Sequence, residues 1–145
     1  MNKVLMKVYI IKKIITLIFI TLFTTYAYSI ENQILYKIDN DIITSIDLEK
    51  EINYLSALNP NIKNLEKNRV KKLSINSLIR EKIKLNELLK YLDSVDVEEE
   101  YLNLLNESMF IKLELNSFEE FIKYLKKNGV KIQDVKKKLK IEIAW

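Results

Sequence analysis

Three consecutive carboxylates, Glu98, Glu99 and Glu100, are the residues of this sequence whose type and spacing could hold a cation or exchange protons. Successive residues of a helix point about 100° apart, so three neighbours do not converge on one ion. Carboxylates in the first turn of a helix also complement its dipole. We therefore predict that these glutamates begin a helix and form neither a catalytic nor a metal-binding site.

The chain of 145 residues contains no histidine and no cysteine, and it has a single glycine. These absences exclude disulfides, cysteine nucleophiles, serine–histidine triads and metal sites built on imidazole or thiolate. One glycine also excludes the phosphate-binding loops and dinucleotide fingerprints that need several. We therefore predict no catalytic residue, no metal and no cofactor.

Residues 1–29 have the pattern of a secretory signal peptide. Four lysines precede an apolar run over residues 14–23. After this run, Ala27-Tyr28-Ser29 places small residues at the positions that a signal peptidase recognises. A spanning helix needs roughly 20 apolar residues, more than this stretch offers. We therefore predict cleavage after Ser29 or Ala27, which leaves residues 30–145 as an exported domain without stable membrane insertion.

The densest charge cluster is formed by Lys136, Lys137, Lys138 and Lys140. A basic cluster can bind nucleic acid, but this segment has no interleaved aromatic residues and the chain carries an export signal. We predict a solvated helix face and no nucleic-acid partner. Weak attraction to an acidic partner stays open.

The remaining pattern predicts a mainly α-helical domain with a small N-terminal β-hairpin and a long central helix. Residues 34–38 and 42–44 flank Asp39-Asn40-Asp41, which is typical of a hairpin around an Asx-rich turn. Thr44 and Asp47 have capping-box spacing before a helix over residues 46–58, and Asn59-Pro60 ends that helix.

A long helix is predicted from about Leu65 to Leu92, about 40 Å long at 1.5 Å per residue. Its apolar face consists of Ile75, Leu78, Ile79, Leu85, Leu89 and Leu92. Asp96 is the predicted N-cap of the next helix, which reaches about Lys112 and carries Tyr101, Leu104 and Leu105.

Two further helices are predicted. Ser117 and Glu120 have capping-box spacing before the stripe Phe118, Phe121, Ile122 and Leu125, and Asn128-Gly129 ends that helix. The last helix begins near Gln133-Asp134, carries Val135, Leu139 and Ile143, and is still amphipathic at Trp145. Because this pattern stops without a cap or a polar tail, we expect the chain to be the front part of a longer protein.

Apolar residues near helix ends are the candidates for a substrate-binding groove: Tyr54, Leu55, Leu58, Met109 and Phe110. Most residues of these types lie in a core. Flexible methionine and aromatic side chains, however, also suit promiscuous apolar binding. We predict that some of these five contact a substrate.

The order of these features resembles the N-terminal domain of the SurA family, which are periplasmic chaperones with peptidyl-prolyl isomerase activity. The resemblance covers essentially residues 33–145. It is carried by residues 38–48, Leu78-Ile79-Arg80-Glu81-Lys82-Ile83, Val95-Asp96-Val97-Glu98-Glu99-Glu100, Phe118-Glu119-Glu120-Phe121 before Gly129-Val130, and Ile141-Glu142-Ile143-Ala144-Trp145.

The resemblance implies a periplasmic chaperone domain that binds unfolded outer-membrane proteins and assists their folding and assembly. The family's parvulin domains are rich in histidine and use several glycines, so the resemblance does not extend catalysis to this chain. The family's C-terminal helix, which completes the chaperone core, is also unmatched. We expect C-terminal segments of the same protein to supply it; the alternative is a relative of the family that has kept only the holding domain.

Two other functions stay open. One is a structural or adaptor domain that docks to a defined partner in the cell envelope. The other is an accessory role beside a downstream isomerase of the same polypeptide.

Overall fold

The computed structural model describes Met6, Tyr9 and residues 11–16, 32–38 and 40–145. The chain divides into two units, Met1–Glu31 and Asn32–Trp145. The described residues of the first unit are helical and exposed. Residues 17–29 of the predicted signal peptide, which include most of its apolar run and the predicted cleavage site, lie outside the described residues. Among the described residues, no helix combines the length and apolarity that crossing a bilayer requires.

The second unit begins with the predicted β-hairpin. Strand β1 (Ile34–Ile38) pairs with β2 (Asp41–Thr44) in antiparallel register, with Ile38 opposite Asp41 and a bulge between Ile34 and Tyr36. Asp39, in the predicted turn, lies outside the described residues. The side chain of Ile43, in β2, is completely buried. The prediction of a hairpin is confirmed.

Helix α1 (Ser45–Leu58) begins at the predicted capping box. The Asp47 amide donates to Thr44 Oγ1 over 3.2 Å, and the Thr44 amide donates to Asp47 Oδ2 over 2.9 Å. Asn59 ends the helix, and Pro60 begins a short 3-10 helix over Pro60–Asn64. Proline suits this position because its missing N–H would have no partner in the first turn.

Helix α2 (Lys67–Leu88) has 22 residues, which makes it shorter than predicted. Beyond Leu88 the chain leaves the helix through turns, in which the Tyr91 amide donates to the Leu88 carbonyl. Leu89 and Leu92 are 47% and 43% exposed, so nothing covers the predicted apolar face there. Without tertiary packing, apolar residues do not extend a helix.

Helix α3 (Glu99–Lys112) starts later than predicted. Glu98 is the N-cap, and the predicted cap Asp96 instead accepts a hydrogen bond from the Val97 amide and pairs with Lys140 over 2.7 Å. Glu99 and Glu100 occupy the first turn, as predicted. The buried positions of this helix are Leu102 and Asn106, and Leu105 packs against the core, whereas Tyr101 and Leu104 are exposed.

Helix α4 (Phe118–Lys127) begins at Ser117, whose Oγ accepts the Glu120 amide over 3.2 Å. The Glu120 carboxylate accepts a hydrogen bond from the Asn116 backbone amide over 2.9 Å. A full capping box would take this bond from the backbone amide of the N-cap residue, Ser117. Phe121 and Leu125 are buried, while Phe118 and Ile122 remain about one-third exposed.

Gly129 ends this part of the chain with a φ of +72°, as its position predicts. Its amide donates to the Lys126 carbonyl over 3.1 Å, and the Val130 amide donates to the Leu125 carbonyl over 2.9 Å. These two bonds form a Schellman motif, which needs the left-handed conformation that glycine adopts without strain. Leu125 and Val130 both lie in the core.

Helix α5 (Ile132–Ala144) is the last described element. Helices α1, α3, α4 and α5 and the loop before α5 share one core, formed by Ala57, Leu102, Phe121, Leu125, Val130, Val135 and Leu139. Helix α2 packs against α1 and α5. The described domain is thus mainly helical with a small hairpin.

Candidate functional site

The residues predicted to bind a substrate lie mostly against the core. Tyr54, Leu58, Met109 and Phe110 are half-buried and pack around the same apolar cluster. Phe110 contacts Phe121, with ring centroids 6.4 Å apart. Leu55 is also half-buried but does not belong to that set. The structure therefore brings four of the five together, and binding by any of them stays a prediction.

Helix α3 presents an exposed apolar surface. Tyr101, Leu104 and Ile111 are 58%, 57% and 59% exposed, and they form what we call the α3 stripe. Their spacing places them on one side of the helix. The core face of the same helix carries Leu102, which is fully buried.

The composition of α3 contains a signal for this stripe. Seven of the eleven residues from 101 to 111 are apolar, more than one face of a helix can hold. A helix that buries only one face must expose the remainder. Counting apolar residues around the whole helix would have separated the stripe from the buried face.

A buried charge cluster joins α1, α2 and α5. Lys138 Nζ donates to Glu51 Oε2 over 2.7 Å and also to Glu81 Oε2, and it lies 4.9 Å from the centre of the Tyr54 ring. The side chain of Glu51 is 1% exposed, and that of Lys138 is 16% exposed. We call these four residues the Lys138 cluster.

The prediction of a solvated lysine face on α5 is therefore wrong for Lys138, whereas the side chains of Lys136 and Lys140 remain 30% exposed. Lys138 is enclosed between two carboxylates, Lys136 pairs with Glu99, and Lys140 pairs with Asp96. Lysine stems lie along apolar surface while their ammonium groups reach charged partners. Lys137 is exposed, whereas the other three lysines of the run are half-buried.

The surroundings of the Lys138 cluster raise the pKa values of two of its members, Lys138 and Tyr54. Burial lowers the pKa of Lys138, but the charge of Glu51 and the hydrogen bonds that Lys138 donates to Glu51 and Glu81 outweigh burial and raise the pKa above its ordinary value. Burial, and then the charges of Glu51, Glu81 and Glu142, raise the pKa of the Tyr54 phenol well above its ordinary value. The folded state thus holds both protons more tightly than the unfolded state does.

We expect the free energy of unfolding to fall as the pH rises above about 10. Both pKa values are raised, from ordinary values of 10.5 for Lys138 and 10.0 for Tyr54, so the unfolded chain loses these protons first. Their stabilisation is therefore complete below those values and is lost at higher pH. Denaturant unfolding across the alkaline range measures this loss. Tyr54→Phe should make the decline shallower, and an unchanged slope in that variant would contradict the assignment to Tyr54.

A cavity of about 210 Å³ adjoins the Lys138 cluster. Its polar lining includes Asp47, Lys50, Asp134 and Lys137. Among the described residues, no group of carboxylates has the arrangement of a metal site. The amines and carboxylates of the Lys138 cluster neutralise one another where α1, α2 and α5 meet.

The described residues thus offer two distinct features to a partner. The α3 stripe is apolar and open to solvent, whereas the Lys138 cluster is charged and largely enclosed. No protein-family model matches the sequence, and no curated protein or solved structure is significantly similar to this chain.

Proposed function

We propose that this chain is a periplasmic chaperone domain of the SurA type, which holds unfolded outer-membrane proteins after export. The proposal combines the predicted signal peptide with the resemblance of residues 33–145 to the N-terminal domain of that family. It assigns no catalytic step to the chain. Holding would be passive and would need neither a cofactor nor an energy source.

The α3 stripe is the observation that carries this proposal. A helix on the surface of a folded domain ordinarily turns polar residues toward solvent. Tyr101, Leu104 and Ile111 instead leave more than half of each side chain exposed. Exposed apolar surface of this kind marks interaction sites.

Apolar contacts suit a client that has no fixed structure. The hydrophobic effect is non-directional, so one surface can accept many sequences without matching their hydrogen bonds. An unfolded client loses chain entropy when it binds, which keeps the affinity at each contact modest. Weak and broad binding is the behaviour that a holding chaperone needs.

The test compares two double variants of the exported protein in the suppression of porin aggregation. Leu104→Lys/Ile111→Lys places charges in the α3 stripe and should weaken suppression about tenfold or more, because each large apolar contact contributes about 1.5–3 kcal/mol when fully buried. Leu73→Lys/Ile83→Lys makes the same change at exposed positions of α2 and should have little effect. Circular dichroism verifies that both variants fold.

A panel of unrelated unfolded porins separates the proposal from the alternative of an adaptor domain. A chaperone delays the aggregation of several of them, whereas an adaptor for one envelope partner delays none. Equal activity of the two double variants would remove the α3 stripe from the mechanism. N-terminal sequencing of the exported protein tests cleavage after Ser29 or Ala27.

A further inference from the structure

A second surface lies where α1 meets the 3-10 helix and the start of α2. These elements enclose a groove of about 480 Å³. Its floor consists of half-buried apolar residues: Ile52, Ile62, Leu65 and Val70. An apolar floor favours the burial of apolar side chains from a partner.

The rim of this groove carries charge of one sign. Lys63, Lys67 and Lys71 line it, and no carboxylate is among its described lining residues. None of the three lysines forms an ion pair with a described residue. Lys63 donates a long hydrogen bond of 3.4 Å to the Asn128 amide oxygen. We call the apolar floor and these lysines the basic groove.

The lysines of the basic groove lack the carboxylate partners that most lysines of the α5 run have among the described residues. Lys136, Lys138 and Lys140 each have a carboxylate partner. The segment of residues 61–72 contains five cations and only one acid, although residues 30–145 as a whole are neutral. The positive charge at the basic groove is therefore locally uncompensated.

The position of these charges costs the isolated domain some stability. Lys67 and Lys71 are one helical turn apart, and like charges at this spacing destabilise a helix. Lys67 is also the first residue of α2, at the positive end of its dipole, where the N-cap Glu66 is the one nearby carboxylate of the segment 61–72. Carboxylates from a partner would relieve both effects.

We propose that the basic groove docks an extended polypeptide segment in which apolar side chains alternate with carboxylates. The apolar side chains would contact the floor while the carboxylates pair with Lys63, Lys67 and Lys71. This inference rests on the proposed function for the nature of the occupant, an unfolded polypeptide, and adds the chemistry of the segment that is selected. It names a surface separate from the α3 stripe.

Fluorescence anisotropy with short labelled peptides tests this selectivity on the exported protein. One peptide alternates leucine with glutamate, and its matched partner alternates leucine with lysine. We expect the glutamate peptide to bind about tenfold more tightly or better. Its affinity should also fall as salt rises from about 0.01 M to about 1 M, because the screening length shrinks from about 30 Å to about 3 Å.

Two triple variants locate the binding. Lys63→Gln/Lys67→Gln/Lys71→Gln should weaken the glutamate peptide about fivefold or more, since three exposed ion pairs are lost. Lys37→Gln/Lys112→Gln/Lys137→Gln removes the same charge from exposed positions of β1, α3 and α5 that do not line the groove and should change the affinity less than about twofold. Equal losses in the two variants would overturn the assignment to the basic groove.

The outcomes separate this inference from the proposed function. Equal affinity for the two peptides, in a protein that still suppresses porin aggregation, overturns the inference and leaves the proposed function standing. Capture of anionic phosphatidylglycerol vesicles without peptide binding also overturns it, in favour of a lipid surface. Selective binding of the glutamate peptide with no effect on any porin supports the basic groove and contradicts the chaperone.

Discussion

Replacing Lys138 with methionine is expected to lower the free energy of unfolding by about 3–5 kcal/mol. The change leaves the carboxylate of Glu51, which is 1% exposed, without its cation. It also removes the partner of Glu81 and the cation above the Tyr54 ring. The cost arises because a buried charge without a partner has lost its hydration and gains nothing in return. Guanidinium unfolding followed by circular dichroism measures the effect.

Two further proteins show whether the loss comes from the unpaired carboxylate. Lys137→Met changes the exposed neighbour and should alter stability by less than about 0.5 kcal/mol. Glu51→Leu/Glu81→Leu/Lys138→Met removes all three charges and should recover most of the stability, since apolar replacements of buried ion pairs are often neutral or stabilising. Similar losses in Lys138→Met and Lys137→Met would contradict a structural role for the cluster.

The local elements of the fold could be predicted because their signals lie within a few residues. The capping box of Thr44 and Asp47 and the Schellman motif at Gly129 depend on side chains and dihedral angles of adjacent residues. The β-hairpin follows from two β-branched runs around a polar turn. Each of these patterns acts on its own segment of the chain, so the sequence order alone identifies it.

The Lys138 cluster could not be predicted in this way. Glu51, Glu81 and Lys138 lie on three different helices, and their meeting depends on how those helices pack. A run of lysines within an amphipathic helix has the same sequence pattern whether its ammonium groups are solvated or paired. The tertiary contacts decide between these outcomes, and the sequence pattern does not contain them.

The apolar surfaces show the same limit. Periodicity predicted that the long helix continues through Leu92, whereas the helix ends at Leu88 and Leu92 is exposed. Tyr101 and Leu104 lie on the next helix as predicted, and both are exposed. An apolar residue is compatible with a core and with a binding surface, so its type does not choose between them. The substrate-binding prediction named Met109 and Phe110 on this helix, which pack against the core, and did not include the α3 stripe.

Replacing Asn106 with leucine is expected to raise the free energy of unfolding by about 1–3 kcal/mol. Asn106 is 1% exposed, and neither its amide nitrogen nor its amide oxygen has a hydrogen-bond partner among the described residues. It lies one helical turn after Leu102, a fully buried core residue. Leucine has the same branching at Cγ and would bury no polar atom. Urea unfolding of the two proteins gives the difference.

Asn103→Leu is the matched control, because Asn103 is exposed on the same helix. That change adds only helix propensity, about 0.5 kcal/mol, so any larger gain in Asn106→Leu reflects the removal of an unsatisfied buried amide. Ser74→Ala tests the same reasoning on α2, where a fully buried hydroxyl also has no described partner. A loss of stability in Asn106→Leu, with an unchanged dependence on denaturant, would show that the amide at this position is satisfied or that the larger side chain does not fit.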